Sequence, residues 1–397
     1  MNEAASAPIQ PIRLALPSAR AALTARVKML AGEHGLTVSA ITTADAFPGL
    51  AEFLEAHITA GRTAGLDWFT PERARFSADP QNLHPTARSI LSVGVAYWSV
   101  DPGRPDDGVP RGRISRYAWG VDYHKLVKRR LKALHAAIQD EVGRPVEARH
   151  LVDTARINER AVAARAGLGW LGKHGGVIVP GHGSWVLLGE LVVDLDLEPD
   201  APMSKDCGRC SICVDKCPTG AIVSAGVIDA PLCLSFQTIE NRGAIPMEIR
   251  TLLGDWVYGC DVCQEVCPYT RAARPEPDPA FLPRSVDNAY PSLRWLLQMT
   301  QDEFGATYHG TPVPRAKRRG LARNAAIALG NTGTRDDVPS LAAALTGHDE
   351  PLVRGHAAWA IGKIGGMAAR RALDRARSSD PDGEVLSEAE VALEALA

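Results

Sequence analysis

At 397 residues the chain is too long for one hydrophobic core and is expected to form two or three domains. An apolar fraction of 45%, with no window near the roughly 18 apolar residues of a membrane span, reads as globular, and MNEAASAPIQPIRLALPSAR lacks the basic end and apolar run of an export signal, so no membrane association and a cytoplasmic location are expected. A net charge of −2 excludes a protein that coats nucleic acid, so any such contact must be a local patch.

In chain order, the apolar runs SILSVGVAYW (89–98) and SWVLLGELVVDLDL (184–197) read as strands of a sheet, with helical patterns between them. In DYHKLVKRRLKALHAAI, Val127, Leu131, Leu134 and Ile138 recur at helical spacing, and Lys125, Lys128, Arg129 and Lys132 fall largely on the other side. From Arg111 to Lys132 there are eight basic residues and one acid, Asp122, which makes either a solvated face or an anion-binding one. Asp153, in HLVDTARINER, stands at the end of a short apolar run before a helix-forming stretch, where an Asp is ordinarily an N-cap. The segment AGLGWLGKHGG holds a literal G-x-G-x-x-G at Gly167, Gly169 and Gly172. It follows a helix-forming segment instead of a strand, so Gly167 reads as a helix C-cap and a dinucleotide site is not expected. Gly172-Lys173-His174 lacks the rest of a Walker loop, which leaves nucleotide hydrolysis without support.

All eight cysteines lie between residues 207 and 267. In a reducing compartment they are better metal ligands than disulfides. CGRCSICVDKCP reads C-x2-C-x2-C-x3-C-P, the spacing by which ferredoxins hold one 4Fe-4S cubane with three thiolates and lend the fourth to a neighbour. Cys233, Cys260, Cys263 and Cys267 complete a second set. The crossed pattern assigns Cys207, Cys210, Cys213 and Cys267 to one cluster, and Cys217, Cys233, Cys260 and Cys263 to the other. Zinc is the competing metal, but its ribbons use two separated C-x2-C knuckles and require neither a third cysteine two residues on nor a proline after the last ligand. Between Cys233 and Cys260 an inserted, helical-looking stretch, FQTIENRGAIPMEIRTLLGDWVYG, is suited to covering a cluster or facing a cofactor.

Near the C-terminus, NAAIALGNTG from Asn324 and HAAWAIGKIG from His356 match at a spacing of 32, as stacked helix pairs of the HEAT kind do. Ahead of them PRAKRRGLARN carries Arg315, Lys317, Arg318, Arg319 and Arg323 with no acid, and is expected to form a fixed basic surface.

VDTARINERAVAARAGLGWLGKHG, CGRCSICVDKCPTGAI, YGCDVCQEVCP, the repeat pair and ISRYAWGVDYHK together resemble the epoxyqueuosine reductase family over most of the chain. The resemblance implies an α+β multidomain fold. An α/β cobalamin-binding and catalytic domain (1–200) precedes a ferredoxin-like module with two 4Fe-4S clusters (201–285) and a HEAT-like helical tail (286–397). It also implies reduction of epoxyqueuosine to queuosine at the tRNA wobble base, the last step of queuosine biosynthesis, by cob(I)alamin fed from the clusters, with Asp153 as proton donor. That role requires burial beside the corrin to raise the Asp153 pKa from about 3.9. The family pattern has a Pro where this chain has Arg156, so the loop after Asp153 is expected to differ in shape. Arg116, Lys173, His174 and Ser235 are the expected cobalamin contacts, and no D-x-H-x-x-G segment offers an axial His, which implies the base-off form. The basic segment from Arg315 to Arg323 and the basic helix around Lys125 to Lys132 are the expected tRNA faces, an unidentified low-potential electron donor is expected, and a monomer is the expected state. A cobalamin-dependent reductive dehalogenase-like enzyme is the enzymatic alternative, but it explains neither the repeats nor their basic lead-in. A non-catalytic iron-sulfur carrier needs only the middle of the chain.

Overall fold

The computed structural model of the chain describes residues 18–275 and 277–396, so most of the segment read for an export signal lies outside the described residues. Helix α1 (Ala19–Glu33) leads to strand β1 (Val38–Thr43), and α2 (Leu50–Thr59) and α3 (Pro71–Ser77) to β2 (Ser89–Ala96). Then come β3 (Arg113–Ile114), α4 (Tyr123–Val142), β4 (Ala148–Leu151), α5 (Glu159–Arg165), the hairpin β5 (Trp170–Leu171) and β6 (Val177–Ile178), and β7 (Val186–Val193). The four longer strands form one sheet in the order β1-β2-β7-β4, antiparallel throughout.

Every residue of β2 is buried, because helices cover both faces of the sheet. Leu91, Val93 and Val95 meet α1 and α4 through Val27, Leu30, Leu131 and Leu134. Ile90 and Val192 point the other way, to Val162 of α5. Asp122 caps α4 by accepting from His124 N–H at 3.0 Å. Gly167, with φ +75°, follows the end of α5 in the left-handed conformation expected of a C-terminal glycine.

The cysteine region holds α6 (Ile212–Asp215), the hairpin β8 (Ile222–Ser224) and β9 (Val227–Ile228), α7 (Leu234–Ile239), α8 (Met247–Arg250), β10 (Trp256–Tyr258), α9 (Val262–Glu265) and α10 (Pro268–Arg271). The insertion is therefore two short helices and a strand, and β10 pairs in parallel with β3 of the N-terminal part. After α11 (Leu293–Gln298) and α12 (Gln301–Tyr308), helices α13 (Lys317–Thr332), α14 (Val338–Gly347), α15 (Pro351–Ile364), α16 (Met367–Ser379) and α17 (Gly383–Glu394) stack as the repeat array.

Equivalent repeat positions do equivalent work. Asn324 of α13 donates to Thr238 O at 2.9 Å and Val257 O at 2.8 Å, and His356 of α15 accepts from Ile245 N–H at 3.2 Å, so both bind backbone of the insertion. A Cβ on Gly330 would stand 2.7 Å from the Trp359 ring, and one on Gly362 2.7 Å from Ala392 Cβ, which is why the repeat keeps glycine where successive helices touch. Arg250 of α8, almost fully buried, pairs through both terminal nitrogens with Glu388 of α17. The tail is thus a buttress for the cysteine-bearing insertion. Among the described residues no helix is long and apolar enough to cross a membrane.

Candidate active site

Asp153 lies two residues beyond β4 and has φ +50°, one of two non-glycine residues in the left-handed region among those described. Such backbone costs on the order of 1–3 kcal/mol and persists where its surroundings over-determine it. The surroundings here are specific. Arg73 of α3 donates to Thr154 O at 3.1 Å and Ala155 O at 3.0 Å, Arg156 lies over the Phe76 ring at 4.9 Å, and the Glu159 carboxylate accepts the Asp153 N–H. Arg156, where the family pattern has Pro, therefore packs the loop against α3. Asn158, not Asp153, caps α5, accepting from Ala161 N–H at 3.0 Å. The capping role that an Asp in this position ordinarily takes is filled by another residue, and the Asp153 carboxylate is left facing a cleft.

That cleft has a volume of about 550 Å³ and is walled by Trp68, Arg73, Tyr123, His124, Asp153, Cys233, Ser235, Phe236, Tyr258 and Arg315. His124, in the first turn of α4, bridges two carboxylates. Its Nδ1 lies 2.7 Å from Asp122 Oδ1 and its Nε2 2.9 Å from Asp153 Oδ2. Carboxylate oxygens only accept, so the ring satisfies both when both nitrogens carry protons. Burial pulls the His124 pKa down, but the hydrogen bonds and charges of Asp122 and Asp153 outweigh it and hold it up to about 9. For Asp153, burial pushes upward, yet the hydrogen bond and charge of His124, followed by the Tyr123 hydroxyl, hold it below the ordinary carboxylate range. The pair stores a proton at neutral pH, on His124, which the sequence reading missed. The Y-H dipeptide at the start of a basic helix was its only local signal.

A second cleft, of about 570 Å³, adjoins the first at Ile228 and is lined by Phe53, Phe69, Arg160, Leu171, Lys173 and Cys207 among others. Trp68, Phe53 and Leu171 are each about half exposed on these walls (48%, 48% and 50%). Uncovered apolar surface of this kind, running through two joined clefts, fits a large macrocycle with an appended tail. Among the described residues His124 is the histidine that lines the first cleft, and both its nitrogens are engaged by carboxylates.

Cys213 lies in the electrostatic field of Cys207, Cys267 and Cys210, and Cys263 in that of Cys260, Cys233 and Cys217. Among the described residues no three His, Cys, Asp or Glu side chains close round a single metal ion.

A model described as "Epoxyqueuosine reductase QueG, DUF1730" matches residues 78–154, one for a 4Fe-4S double cluster binding domain residues 206–270, and one for HEAT repeats residues 316–394. The epoxyqueuosine reductase of Staphylococcus aureus is 38% identical over 356 residues, 89% of this chain and 92% of its own, and that of Pseudomonas aeruginosa 40% identical over 79% and 86%. The chain belongs to the epoxyqueuosine reductase family. A crystal structure of an epoxyqueuosine reductase with an epoxyqueuosine-modified tRNA-Tyr stem loop superposes with a TM-score of 0.88 at 33% identity, covering 94% of this chain and 99% of that one. A Bacillus subtilis epoxyqueuosine reductase structure, with its catalytic aspartate loop swung out of the active site, gives 0.88 at 32% identity over 95% and 99%. The mixed helix-and-sheet fold with a double-cluster module and HEAT repeats is as the sequence reading expected.

Within this family member, the other residues singled out in the sequence divide between the clefts and the scaffold. Ser235 lines the first cleft, and Lys173 lines the second, donating to Gly208 O at 2.8 Å. Arg116 lines neither. Its side chain is 11% exposed, and it pairs with Glu265, with Asp261 at 3.6 Å and with Asp101 at 3.7 Å, tying the N-terminal part to the cysteine module. His174 is buried away from both clefts, accepts from Gly176 N–H at 3.1 Å through Nδ1, and is pushed by burial down to about 4, hence neutral. Arg315 opens on the first cleft and pairs with Glu240 at 2.9 Å, while Lys317 is exposed. Arg318 is turned into the repeats by Asp349 and Met299 O, and Arg319 stands 3.7 Å from Glu350. Arg323 is fully buried and cannot touch a partner. Charge count along the segment could not separate surface from core arginines.

Proposed function

We propose that this chain reduces epoxyqueuosine to queuosine at the wobble position of tRNA, with bound cobalamin and two 4Fe-4S clusters. One observation carries the reading: the His124–Asp153 pair and Cys233 face the same apolar-walled cleft. A proton donor and a cluster ligand therefore meet where a macrocycle fits. Cobalamin supplies a strongly reducing, nucleophilic cobalt when bound. The residues of the chain do the rest. Ser235, Lys173 and the walls around Trp68 and Phe53 would hold the cofactor. Asp153, loaded by His124, protonates the departing oxygen, and the strained turn held by Arg73 and Glu159 aims the carboxylate into the cleft. Single-stranded bases can be splayed into such a pocket, which suits a wobble nucleotide. Anaerobic incubation with epoxyqueuosine-tRNA and a strong reductant tests the reading, since it requires a nucleoside lighter by one oxygen atom. No such product would sink it.

The Cys207, Cys210, Cys213 and Cys267 set would hold one cubane and the Cys217, Cys233, Cys260 and Cys263 set the other. Anaerobic reconstitution should give about eight irons per chain, falling to about four in Cys210→Ala with circular dichroism unchanged. Stoichiometric zinc without iron would exclude the assignment. Exposed Lys205, Arg209 and Lys216 lie along the segment that carries Cys207 to Cys217 and would suit an acidic one-electron carrier as donor. The chain would act as a monomer, which sedimentation of the loaded protein tests, and a tRNA substrate supports a cytoplasmic location. The division at 1–200, 201–285 and 286–397 follows the three functions, although the β3–β10 pairing and the α13 contacts join the parts.

The tRNA face would comprise Arg315, Lys317 and the exposed Lys125 and Lys128 of α4. Reversing Lys317, Lys125 and Lys128 to Glu should weaken tRNA binding and flatten its log-log salt dependence by roughly 0.7 per lost phosphate contact, with iron content unchanged. An unaltered slope would remove these residues from the interface.

A further inference from the structure

Glu190 is a mid-strand residue of β7 with 0% exposure, and among the described residues no donor reaches either carboxylate oxygen. It lies opposite Ser92 of β2 and Leu151 of β4 in the sheet register, and neither offers it a charge. Ser92 Oγ is also buried without a partner. The sheet face it shares with Val192 is covered by α5, whose first residue is Glu159. The two carboxyl groups come within hydrogen-bonding reach of each other. Two acceptors can bond only if one carries a proton, and an isolated buried carboxylate is too costly to leave ionised. Glu190 therefore keeps its proton and donates to Glu159. Glu159 is half-buried and accepts the Asp153 N–H, so the pair sits directly beneath the residue that faces the cleft.

Removing an epoxide oxygen as water breaks two C–O bonds, forms a C=C bond and consumes two electrons and two protons. The electrons belong to the cofactors of the reaction proposed above, on which this inference rests. The His124–Asp153 pair holds one proton. We propose that Glu159 and Glu190 form a proton store that delivers the second proton to the Asp153–His124 pair. In that step the Glu159 O–H bond breaks and one forms on the Asp153 carboxylate, leaving a Glu159 carboxylate that still accepts from Glu190. Glu159, which is only half-buried, regains its proton from solvent. The groups facing the store are Asp153, Tyr123 and Arg160, with His124 beyond Asp153. Burial, then the Asp153 charge, push Glu159 up to about 7, and burial and Glu159 push Glu190 upward as well. Because Glu190 is the fully buried member and no other donor reaches it, raising the pH through about 7 should empty the Glu159 site and leave Glu190 protonated.

Two measurements test this. In the cofactor-free protein, infrared titration should show a buried carboxylic C=O band, one part lost as pH rises through about 7 and absent in Glu159→Gln, the other persisting and absent in Glu190→Gln. In the loaded enzyme the deoxygenation rate should fall through the same pH. Glu159→Gln should be slower by about tenfold or more and lack that limb, and Glu159→Asp should restore it. Glu190→Gln, which gives Glu159 a permanent amide donor, should move the limb by about one pH unit toward acid. No protonated-carboxyl band, or a wild-type pH profile in Glu159→Gln, overturns the proposal. A wild-type enzyme that makes no product would instead overturn the function on which it rests.

Discussion

Asp153→Asn should lower turnover by about a hundredfold or more while leaving both clusters, cofactor binding and thermal stability near wild type. The amide keeps an oxygen for His124 Nε2, so the 2.9 Å contact survives in shape, but it cannot take up the proton that His124 holds. Helix α5 should be unaffected, because Asn158 caps it. A variant that turns over at near wild-type rate would end the proton-donor role, and one that fails to fold would return Asp153 to scaffolding. The pH dependence has a definite sign. His124, raised in the folded chain to about 9, contributes stability that is fully present below its ordinary value of 6.5 and lost as pH rises through about 9. Without the Asp153 charge one of its two anionic partners is gone, so its titration should move toward acid when followed by imidazole NMR. An unmoved His124 titration would mean that the two side chains are not coupled in solution.

Arg323→Ala should destabilise the protein by on the order of 3–5 kcal/mol, and Arg323→Glu should prevent folding. The guanidinium is fully buried and donates to Gln237 O at 2.6 Å, Asn241 O at 2.9 Å and Gly243 O at 2.6 Å, with the Asn324 side chain completing the set. Removing it strands the carbonyls of Gln237, inside α7, and of Asn241 and Gly243, in the turn after that helix, whose first residue follows Cys233. Iron retention should therefore fall together with the melting temperature. Lys317→Glu, a few residues earlier and exposed, should leave both unchanged. Equal melting temperatures for wild type and Arg323→Ala would show that the tail does not buttress the insertion.

The cysteine pattern was legible because cluster ligation by C-x2-C-x2-C-x3-C-P is a local demand: three thiolates must converge within one turn of chain, so spacing alone announces them. The HEAT pair was legible for a related reason, since each unit repeats the same packing problem and so the same residues, down to Gly330 and Gly362 at the helix contacts. Strands β2 and β7 and helix α4 followed from apolar periodicity, which reports burial one element at a time. Asp153 was recognisable by its motif, yet its protonation was not, because that depends on His124 from another element and on Asp122 behind it. Five arginines and lysines read as one basic surface because charge is visible in a sequence and direction is not. Arg323 turned inward once the insertion between Cys233 and Cys260 supplied carbonyls to receive it, and Arg116 became an ion-pair node once Asp261 and Glu265 arrived across the fold. The sequence by itself determined the metal-ligating framework, the repeats and the secondary structure. Which charges are buried, which carboxylates hold protons and which residues share a cleft was decided only by the tertiary structure, because desolvation and hydrogen bonding act through space between segments that the chain order keeps apart.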